Sequence, residues 1–221
     1  MSLAEELQLG CTQLGIQLDA EAQHKLLDYL ALLQKWNKVY NLTAIRDPQQ
    51  MMSHHLLDSL AVLPHLWKGR WLDVGCGAGL PGMVMAIAQP EWQFTLLDSN
   101  SKKTSFVQQA VIELGVNNVS VYCARVEDWQ PAEKFDGIIS RAFSELGEFL
   151  RSTCHLLAPQ GYWVAMKGAP QHELAGIPDG CQVEKIVSLR VPGMNAARSL
   201  VIACRQKLPE RKAVGQHSHT Q

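Results

Sequence analysis

The residues best suited to chemistry form a glycine-rich run, DVGCGAGLPG, that begins at Asp73 and ends at Gly82. The run follows an apolar, strand-like stretch at 71–74 and precedes a helix-like stretch at 83–88. Glycines permit a tight turn and a close approach of the backbone to a ligand. The N-terminus of a following helix adds free N–H groups and a positive dipole. This arrangement predicts a nucleotide-cofactor site at the carboxyl end of the first strand of an α/β sheet.

The spacing of the glycines alone leaves two cofactors open. Gly77, Gly79 and Gly82 fit the dinucleotide pattern GxGxxG, whereas Gly75, Gly77 and Gly79 fit GxGxG, the form found in S-adenosylmethionine (AdoMet) methyltransferases. Asp73 favours AdoMet, because a carboxylate at the mouth of the turn repels a pyrophosphate and attracts an ammonium and a sulfonium. We therefore expect Asp73, Gly75 and Gly77 to bind AdoMet. The alternative role of Asp73 is to cap the turn.

Acidic residues follow the next two strands at corresponding positions. Asp98 ends the strand at 93–97, about 20 residues beyond the glycines, where a carboxylate accepts hydrogen bonds from ribose hydroxyls. Its alternative role is the N-cap of the next helix, in competition with Ser99 and Ser101. Glu127 and Asp128 follow the third strand, after Val126, and their alternative role is that of ordinary surface acids. We expect this pair beside the adenine ring, reading its edge through a side chain or a backbone N–H.

Cationic side chains directly follow the fourth and fifth strands. We expect Arg141 to bind the carboxylate of the cofactor or a phosphate of RNA, and its alternative is a structural ion pair with Asp136 or Glu145. Lys167 is a candidate phosphate contact, with a solvated lysine as the alternative. No residue is identified as catalytic, and no metal ligands are predicted. The candidate RNA contacts are Lys102, Lys103, Arg141, Lys167 and Arg198, and the alternative patch on the N-terminal helices is Lys35, Lys38 and Arg46.

The elements that must position these residues alternate along the chain. Strand-like stretches are 71–74, 93–97, 119–123, 135–140, 161–166, 183–189 and 200–204, and helix-like stretches are 83–88, 103–114 and 145–157. Such alternation predicts a mostly parallel sheet with helices on both faces. The last two strands, joined by a turn with Pro192 and Gly193, predict an antiparallel hairpin at one edge. We therefore expect an α/β, Rossmann-like fold of seven strands.

The first 66 residues lack strand patterns. They predict a short helix at 3–15, a longer one from an N-cap at Asp19 to Lys38, and a third opened by Pro48. We expect 1–66 to be a helical extension packed on a methyltransferase core at 67–206. The polar tail at 207–221 predicts disorder, with His217 and His219 as solvated residues rather than metal ligands.

Composition limits the class of protein. Apolar residues make up 47% of the 221 residues and charged residues 19%, as in globular domains. A net charge of −1 means that RNA binding would need a local basic patch. The six cysteines lack CxxC spacing, and no basic leader or membrane-length apolar run is present, so we expect reduced thiols in a cytoplasmic protein.

Several segments resemble one family, the ribosomal RNA small subunit methyltransferase G, or glucose-inhibited division protein B, family. The family-specific runs are WNKVYNLT at 36–43, RDP at 46–48 and HHLLDS at 54–59. The core segments at 73–82, 96–99, 125–127, 140–142 and 167–168 are similar in the same order, so that the resemblance covers residues 20–205. Cys76 stands where the family often has a small hydroxyl residue, and the tail extends beyond the family pattern.

The resemblance implies methyl transfer from AdoMet to N7 of one guanine in 16S ribosomal RNA, in the bacterial cytoplasm. It also implies cofactor contacts by Gly75, Leu80, Val126, Glu127 and Arg141. Guanine N7 carries a lone pair and no proton, so the reaction needs no general base. Positioning and desolvation then supply the rate.

Three alternatives remain at the level of the sequence. The first is an AdoMet methyltransferase that acts on another RNA or on a small molecule. The second is an NAD-dependent oxidoreductase, which would need no Asp73 but a catalytic Tyr-Lys or His that is not evident. The third is a non-catalytic RNA-binding module, which the intact set of Asp73, Asp98 and Glu127 disfavours.

Overall fold

The computed structural model describes residues 1–141, 143 and 145–206. It begins with helices α1 (Leu3–Leu14) and α2 (Ala20–Tyr40). A capping box between Ser2 and Glu5 starts α1, and Gly15 ends it in the left-handed conformation. The side chain of Asp19 accepts a hydrogen bond from the N–H of Ala22 and starts α2, as the sequence predicted.

The third predicted helix is present but irregular. Its first turn is α3 (Pro48–Met51), its middle is a π-helical segment (Met52–Leu57), and its end is α4 (Asp58–Leu60). A 3-10 turn (Leu63–His65) leads from it into the sheet. Periodicity predicted the helix but not the π-helical segment.

Seven strands then form one sheet in the order β3-β2-β1-β4-β5-β7-β6. Their bounds are β1 Arg70–Val74, β2 Gln93–Asp98, β3 Val119–Cys123, β4 Phe135–Ser140, β5 Leu157–Lys167, β6 Cys181–Leu189 and β7 Arg198–Arg205. Strands β1 to β5 pair in parallel, whereas β7 is antiparallel to both β5 and β6. The mostly parallel seven-stranded sheet with an antiparallel hairpin at one edge is confirmed. The order reverses between β1 and β4, the position at which doubly wound sheets bind ligands.

Helices cover both faces of this sheet. The connections contain α5 (Gly82–Ala88), α6 (Ser101–Glu113), α7 (Leu146–Thr153) and a 3-10 helix (Gln171–Gly176). Residues of β1 enter two hydrophobic clusters. Trp71 belongs to the cluster that contains residues of α1, α2, α5 and α6, and Leu72 and Val74 belong to the cluster that contains residues of α7. The N-terminal helices therefore share a continuous core with the sheet, and their separation as an extension remains a prediction.

One helix is shorter than the sequence predicted. The expected helix at 145–157 ends at Thr153, and β5 begins at Leu157, four residues before the predicted strand. The cause is tertiary, because the carbonyl of Leu156 accepts the N–H of Phe135 and Leu157 pairs with that residue at the start of β4. The predicted tail at 207–221 lies outside the described residues. In the described part, no helix has both the length and the apolar character needed to cross a bilayer.

Candidate functional site

A cavity opens at the carboxyl ends of β1, β2 and β3. Its walls are the ends of β1 and β2, the segment 124–127 after β3, and Phe143 after β4. The structure thus brings together four of the residues that the sequence singled out, namely Gly75, Asp98, Val126 and Glu127. Val126 is buried and presents an apolar wall, whereas Glu127 is exposed at the rim.

The glycine turn contributes Gly75 to the lining of this cavity. Gly75 and Gly77 have φ angles of 68° and 58°, in the left-handed region that favours glycine. The N–H of Gly75 donates to the carbonyl of Leu97 at 2.8 Å, and the N–H of Gly77 donates to Asp98 Oδ2 at 2.8 Å. The turn is therefore attached to β2 at the point where Asp98 enters the cavity.

Asp98 is oriented by the backbone on both sides. Its Oδ2 accepts from Gly77, and its Oδ1 accepts the N–H of Asn100 at 2.8 Å. The N-cap of α6 is Asn100, whose side chain accepts the N–H groups of Lys102 and Lys103 at 3.0 and 3.2 Å. Capping by Asp98, the alternative role, is therefore wrong. Each carboxylate oxygen keeps a lone pair for a ligand hydroxyl.

Asp73 lies beneath the turn, only 1% exposed. Its Oδ2 accepts the N–H of Gly82, the first residue of α5, at 2.7 Å, so Asp73 does hold the end of the turn. Its Oδ1 is buried without a hydrogen-bond partner in the described part of the chain. Burial raises the pKa of Asp73 to about 7, and the hydrogen bond from Gly82 opposes this rise. An unsatisfied carboxylate oxygen under the glycine turn fits a ligand with a positively charged group.

A second cavity lies on the other side of the turn and shares Gly75 with the first. It is lined by the glycine turn, Leu80, Lys103, Arg141 and two residues from the loop after α2, Leu42 and Thr43. The two cavities together therefore adjoin every predicted cofactor residue except Asp73.

Arg141 reaches this second cavity from the end of β4. Its NH1 donates to the carbonyl of His54 at 3.0 Å and lies 3.4 Å from Asp58 Oδ2. The π-helical segment makes the bond to His54 possible. In a regular α-helix the N–H of Asp58 would bond to the carbonyl of His54, whereas here it bonds to the carbonyls of Ser53 and His55. The carbonyl of His54 can therefore accept from Arg141. The alternative ion pair with Asp136 or Glu145 is not what forms. The carboxylate beside Arg141 belongs to Asp58, which is fully buried.

The other predicted RNA contacts differ in their exposure and in their partners. Lys102 is exposed at the start of α6, and Lys103 is half-buried beside the second cavity. Arg198 Nε lies 3.1 Å from Asp58 Oδ1. Lys167 is 8% exposed by its side chain, lies 2.7 Å from Glu173 Oε2 and donates to the carbonyl of Phe143 at 2.8 Å. A solvated Lys167 is therefore excluded, and a phosphate contact would require this buried pair to open.

Comparison with known proteins decides between the cofactors. Residues 22–201 match the profile of the family described as rRNA small subunit methyltransferase G. The chain belongs to this family. It is 54% identical over 202 residues to the ribosomal RNA small subunit methyltransferase G of Laribacter hongkongensis, covering 91% of this chain and 98% of that protein. It is 53% identical to that of Pseudomonas paraeruginosa, covering 90% and 94%.

Solved structures agree on the fold. A SAM-dependent methyltransferase from Aquifex aeolicus superposes with a TM-score of 0.54 at 20% identity, covering 76% of this chain and 96% of that one. TrmN from Thermus thermophilus gives a TM-score of 0.54 at 16% identity, covering 70% and 53%. The chain is an AdoMet-dependent methyltransferase of the methyltransferase G family, and the NAD-dependent oxidoreductase is excluded.

Sequence reasoning missed several residues that shape the site. Thr43 Oγ1 lies 3.0 Å from Nε2 of His55, a buried histidine whose pKa is lowered to about 4 by burial and by Arg141. Asp58 pairs with Arg141 and Arg198, and Glu173 pairs with Lys167. The family-specific runs at 36–43 and 54–59 contain three of these four residues, which was the available signal.

Proposed function

We propose that this chain transfers the methyl group of AdoMet to N7 of one guanine in 16S ribosomal RNA. The observation that supports it best is the pair of cavities joined at Gly75, one with the oriented Asp98 carboxylate and one with Arg141. The family match supports ribosomal RNA as the substrate.

The first cavity fits a nucleoside. Asp98 accepts hydrogen bonds from the ribose hydroxyls, since Gly77 and Asn100 already fix its oxygens in place. Val126 packs against the adenine ring, and the 126–127 backbone with Glu127 reads its edge. Phe143 closes the opposite wall, held by the hydrogen bond from Lys167 to its carbonyl.

The second cavity fits the amino-acid end of the cofactor and the incoming base. Arg141 attracts a carboxylate, and the free oxygen of Asp73 attracts the ammonium from below the turn. AdoMet, when bound, supplies an electrophilic methyl group on its sulfonium. Leu42, Thr43 and Leu80 provide the wall against which the guanine is positioned and from which water is excluded.

No proton has to be removed for N7 to react, and the site agrees with this. His55, whose Nε2 lies 3.0 Å from Oγ1 of the cavity-lining Thr43, has a pKa of about 4 and is therefore too weak a base to accept a proton readily at physiological pH. We assign RNA phosphate contacts to Lys102, Lys103 and Arg198, with Arg141 shared between cofactor and RNA. Lys167 supports the wall with Phe143 instead. The cytoplasm is the expected compartment for this reaction.

The test is methyl transfer from labelled AdoMet to naked 16S ribosomal RNA and to small ribosomal subunits, followed by mapping of the modified base. We expect one N7-methylguanine in one of the two substrates. Labelling of a different base, of another RNA or of a small molecule only would contradict the proposal and favour the alternative substrate class.

A further inference from the structure

The end of α2 exposes two large apolar side chains. Val39 is 69% exposed and Tyr40 is 46% exposed. The ring of Tyr40 lies against Trp36, with centroids 5.2 Å apart, and Trp36 lies 5.6 Å from Phe106 of α6. An aromatic series that starts in the core thus holds a half-exposed ring at the surface.

Cationic residues lie close to Tyr40 in the chain. Between Asp28 and Asp47 the chain has Lys35, Lys38 and Arg46 and no acidic residue, although the net charge of the chain is −1. Lys38 and Arg46 line a surface cleft between α2 and the start of α3. Arg46 NH2 donates to Asn41 Oδ1 at 2.7 Å, a neutral partner, and within the described ranges neither Lys38 nor Arg46 pairs with a carboxylate.

The same segment leads directly into the second cavity. Asn41 ends α2 in the left-handed conformation, with φ 51°, and turns the chain inward. Leu42 and Thr43, the next residues, line the cavity beside the glycine turn. The exposed ring therefore lies only two residues from the lining of the second cavity.

We propose that Tyr40, supported by Trp36, stacks on an unpaired base of the RNA next to the target guanine, while Lys38 and Arg46 hold the flanking phosphates. This proposal rests on the proposed function. Unpaired bases are bound by stacking on aromatic side chains, and their phosphates by nearby cations. A half-exposed ring close in the chain to Lys38 and Arg46, which pair with no carboxylate in the described ranges, fits that chemistry, and a strongly basic protein partner would be repelled by the same charges.

Tyr122 offers a matched control. It is also 46% exposed, and its ring lies 5.1 Å from that of Trp129, but Glu127 and Asp128 are its near neighbours in the chain. The variants are Tyr40→Ala, Tyr40→Phe and Tyr122→Ala. The readouts are KM for 16S ribosomal RNA or subunits at saturating AdoMet, KM for AdoMet, and Tm.

Tyr40→Ala should raise KM for RNA by roughly 5- to 150-fold, the range for loss of one stacked base. KM for AdoMet and Tm should hardly change. Tyr40→Phe should keep the wild-type value, because stacking needs the ring and not the hydroxyl. Tyr122→Ala should match wild type in every readout.

Equal behaviour of Tyr40→Ala and Tyr122→Ala would overturn the stacking. A second outcome would also overturn it. If Tyr40→Ala methylates naked RNA as well as wild type does but has a raised KM for assembled subunits, Tyr40 contacts a ribosomal protein and not an RNA base. If wild type methylates no ribosomal RNA, the proposed function fails. If wild type methylates and Tyr40→Ala is unaffected, only this inference fails.

Discussion

Asp98 illustrates how backbone groups prepare one side chain for binding. Two N–H groups, from Gly77 and Asn100, fix its carboxylate at the cavity floor. The variant Asp98→Ala should weaken AdoMet binding by about 1.5–3 kcal/mol, the value of hydrogen bonds to a charged group. Isothermal calorimetry measures this.

The matched control for Asp98 is Asn100→Ala. It removes the N-cap of α6, at a cost of about 1 kcal/mol in stability, without changing the cavity. AdoMet affinity should stay near wild type in this variant. If both variants lose the same affinity, Asp98 acts through the fold of the turn and not through the ribose.

Asp73 is the residue for which charge depends on pH. Burial raises its pKa to about 7, so below pH 7 the carboxyl is largely protonated and above pH 7 it is ionised. A cationic ligand prefers the ionised form, and we therefore expect AdoMet to bind more tightly as the pH rises from 5.5 to 7. Asp73→Asn should bind about 1–3 kcal/mol more weakly at neutral pH and lose this dependence. Identical slopes in calorimetric titrations of both proteins would count against an ionised Asp73.

At the scale of elements, local signals predicted most of the fold. Asp19 starts a helix because its side chain satisfies a free backbone N–H, and Pro48 starts another because it has no N–H to satisfy. The apolar strand at 71–74 leads into glycines that form the turn. The predicted end of α7 at residue 157 was wrong, because Leu157 pairs with Phe135 of a distant strand. The 3-10 helix with Glu173 was missed in a stretch rich in Gly and Pro.

Glu173, in the 3-10 helix that the sequence did not predict, forms a buried ion pair. Its Oε2 accepts the N–H of Leu146 at 2.8 Å, at the start of α7, and pairs with Lys167 at 2.7 Å. Removing one member of a buried pair leaves the other charge uncompensated. Lys167→Met should therefore lower the free energy of unfolding by about 3–5 kcal/mol, measured by urea denaturation.

The matched control for Lys167 is the exposed pair of Lys68 with Glu91, whose atoms are 2.8 Å apart. Lys68→Met should leave the urea midpoint nearly unchanged, because water screens that pair. If Lys167→Met also stays at the wild-type midpoint and lowers RNA affinity instead, the phosphate contact expected from the sequence is correct after all.

At the scale of the whole molecule, sequence reasoning located residues at strand ends but not the partners that reach them from afar. Strand-end residues such as Asp98 share one edge of a parallel sheet by topology, so a pattern of strands is enough to group them. Asp58 contacts Arg141 and Arg198, which are 83 and 140 positions away in the chain. No local pattern records such separations, since only the packed fold brings these charges together.

Asp58 therefore links the N-terminal helices to the end of β4 and to the start of β7. It is fully buried, while Arg141 and Arg198 have 28% and 29% of their side chains exposed. Asp58→Ala should lower the free energy of unfolding by about 3 kcal/mol, the lower end for a broken buried pair, because water reaches the two guanidinium groups. Asp58→Asn should lose less, since an amide oxygen still accepts one hydrogen bond. Asp28→Ala, which removes an exposed carboxylate beside His24, is the control and should change little.

A double-mutant cycle with Arg198→Ala separates the ion pair from simple loss of packing. Once Asp58 is absent, removing Arg198 should cost much less than it does in wild type, with a coupling of about 1 kcal/mol or more measured by urea denaturation. Coupling arises because each single variant already breaks the 3.1 Å contact between Asp58 and Arg198. Additivity within about 0.5 kcal/mol would mean that the two residues stabilise the fold independently. The connection between the N-terminal helices and the sheet would then depend on the shared hydrophobic core alone.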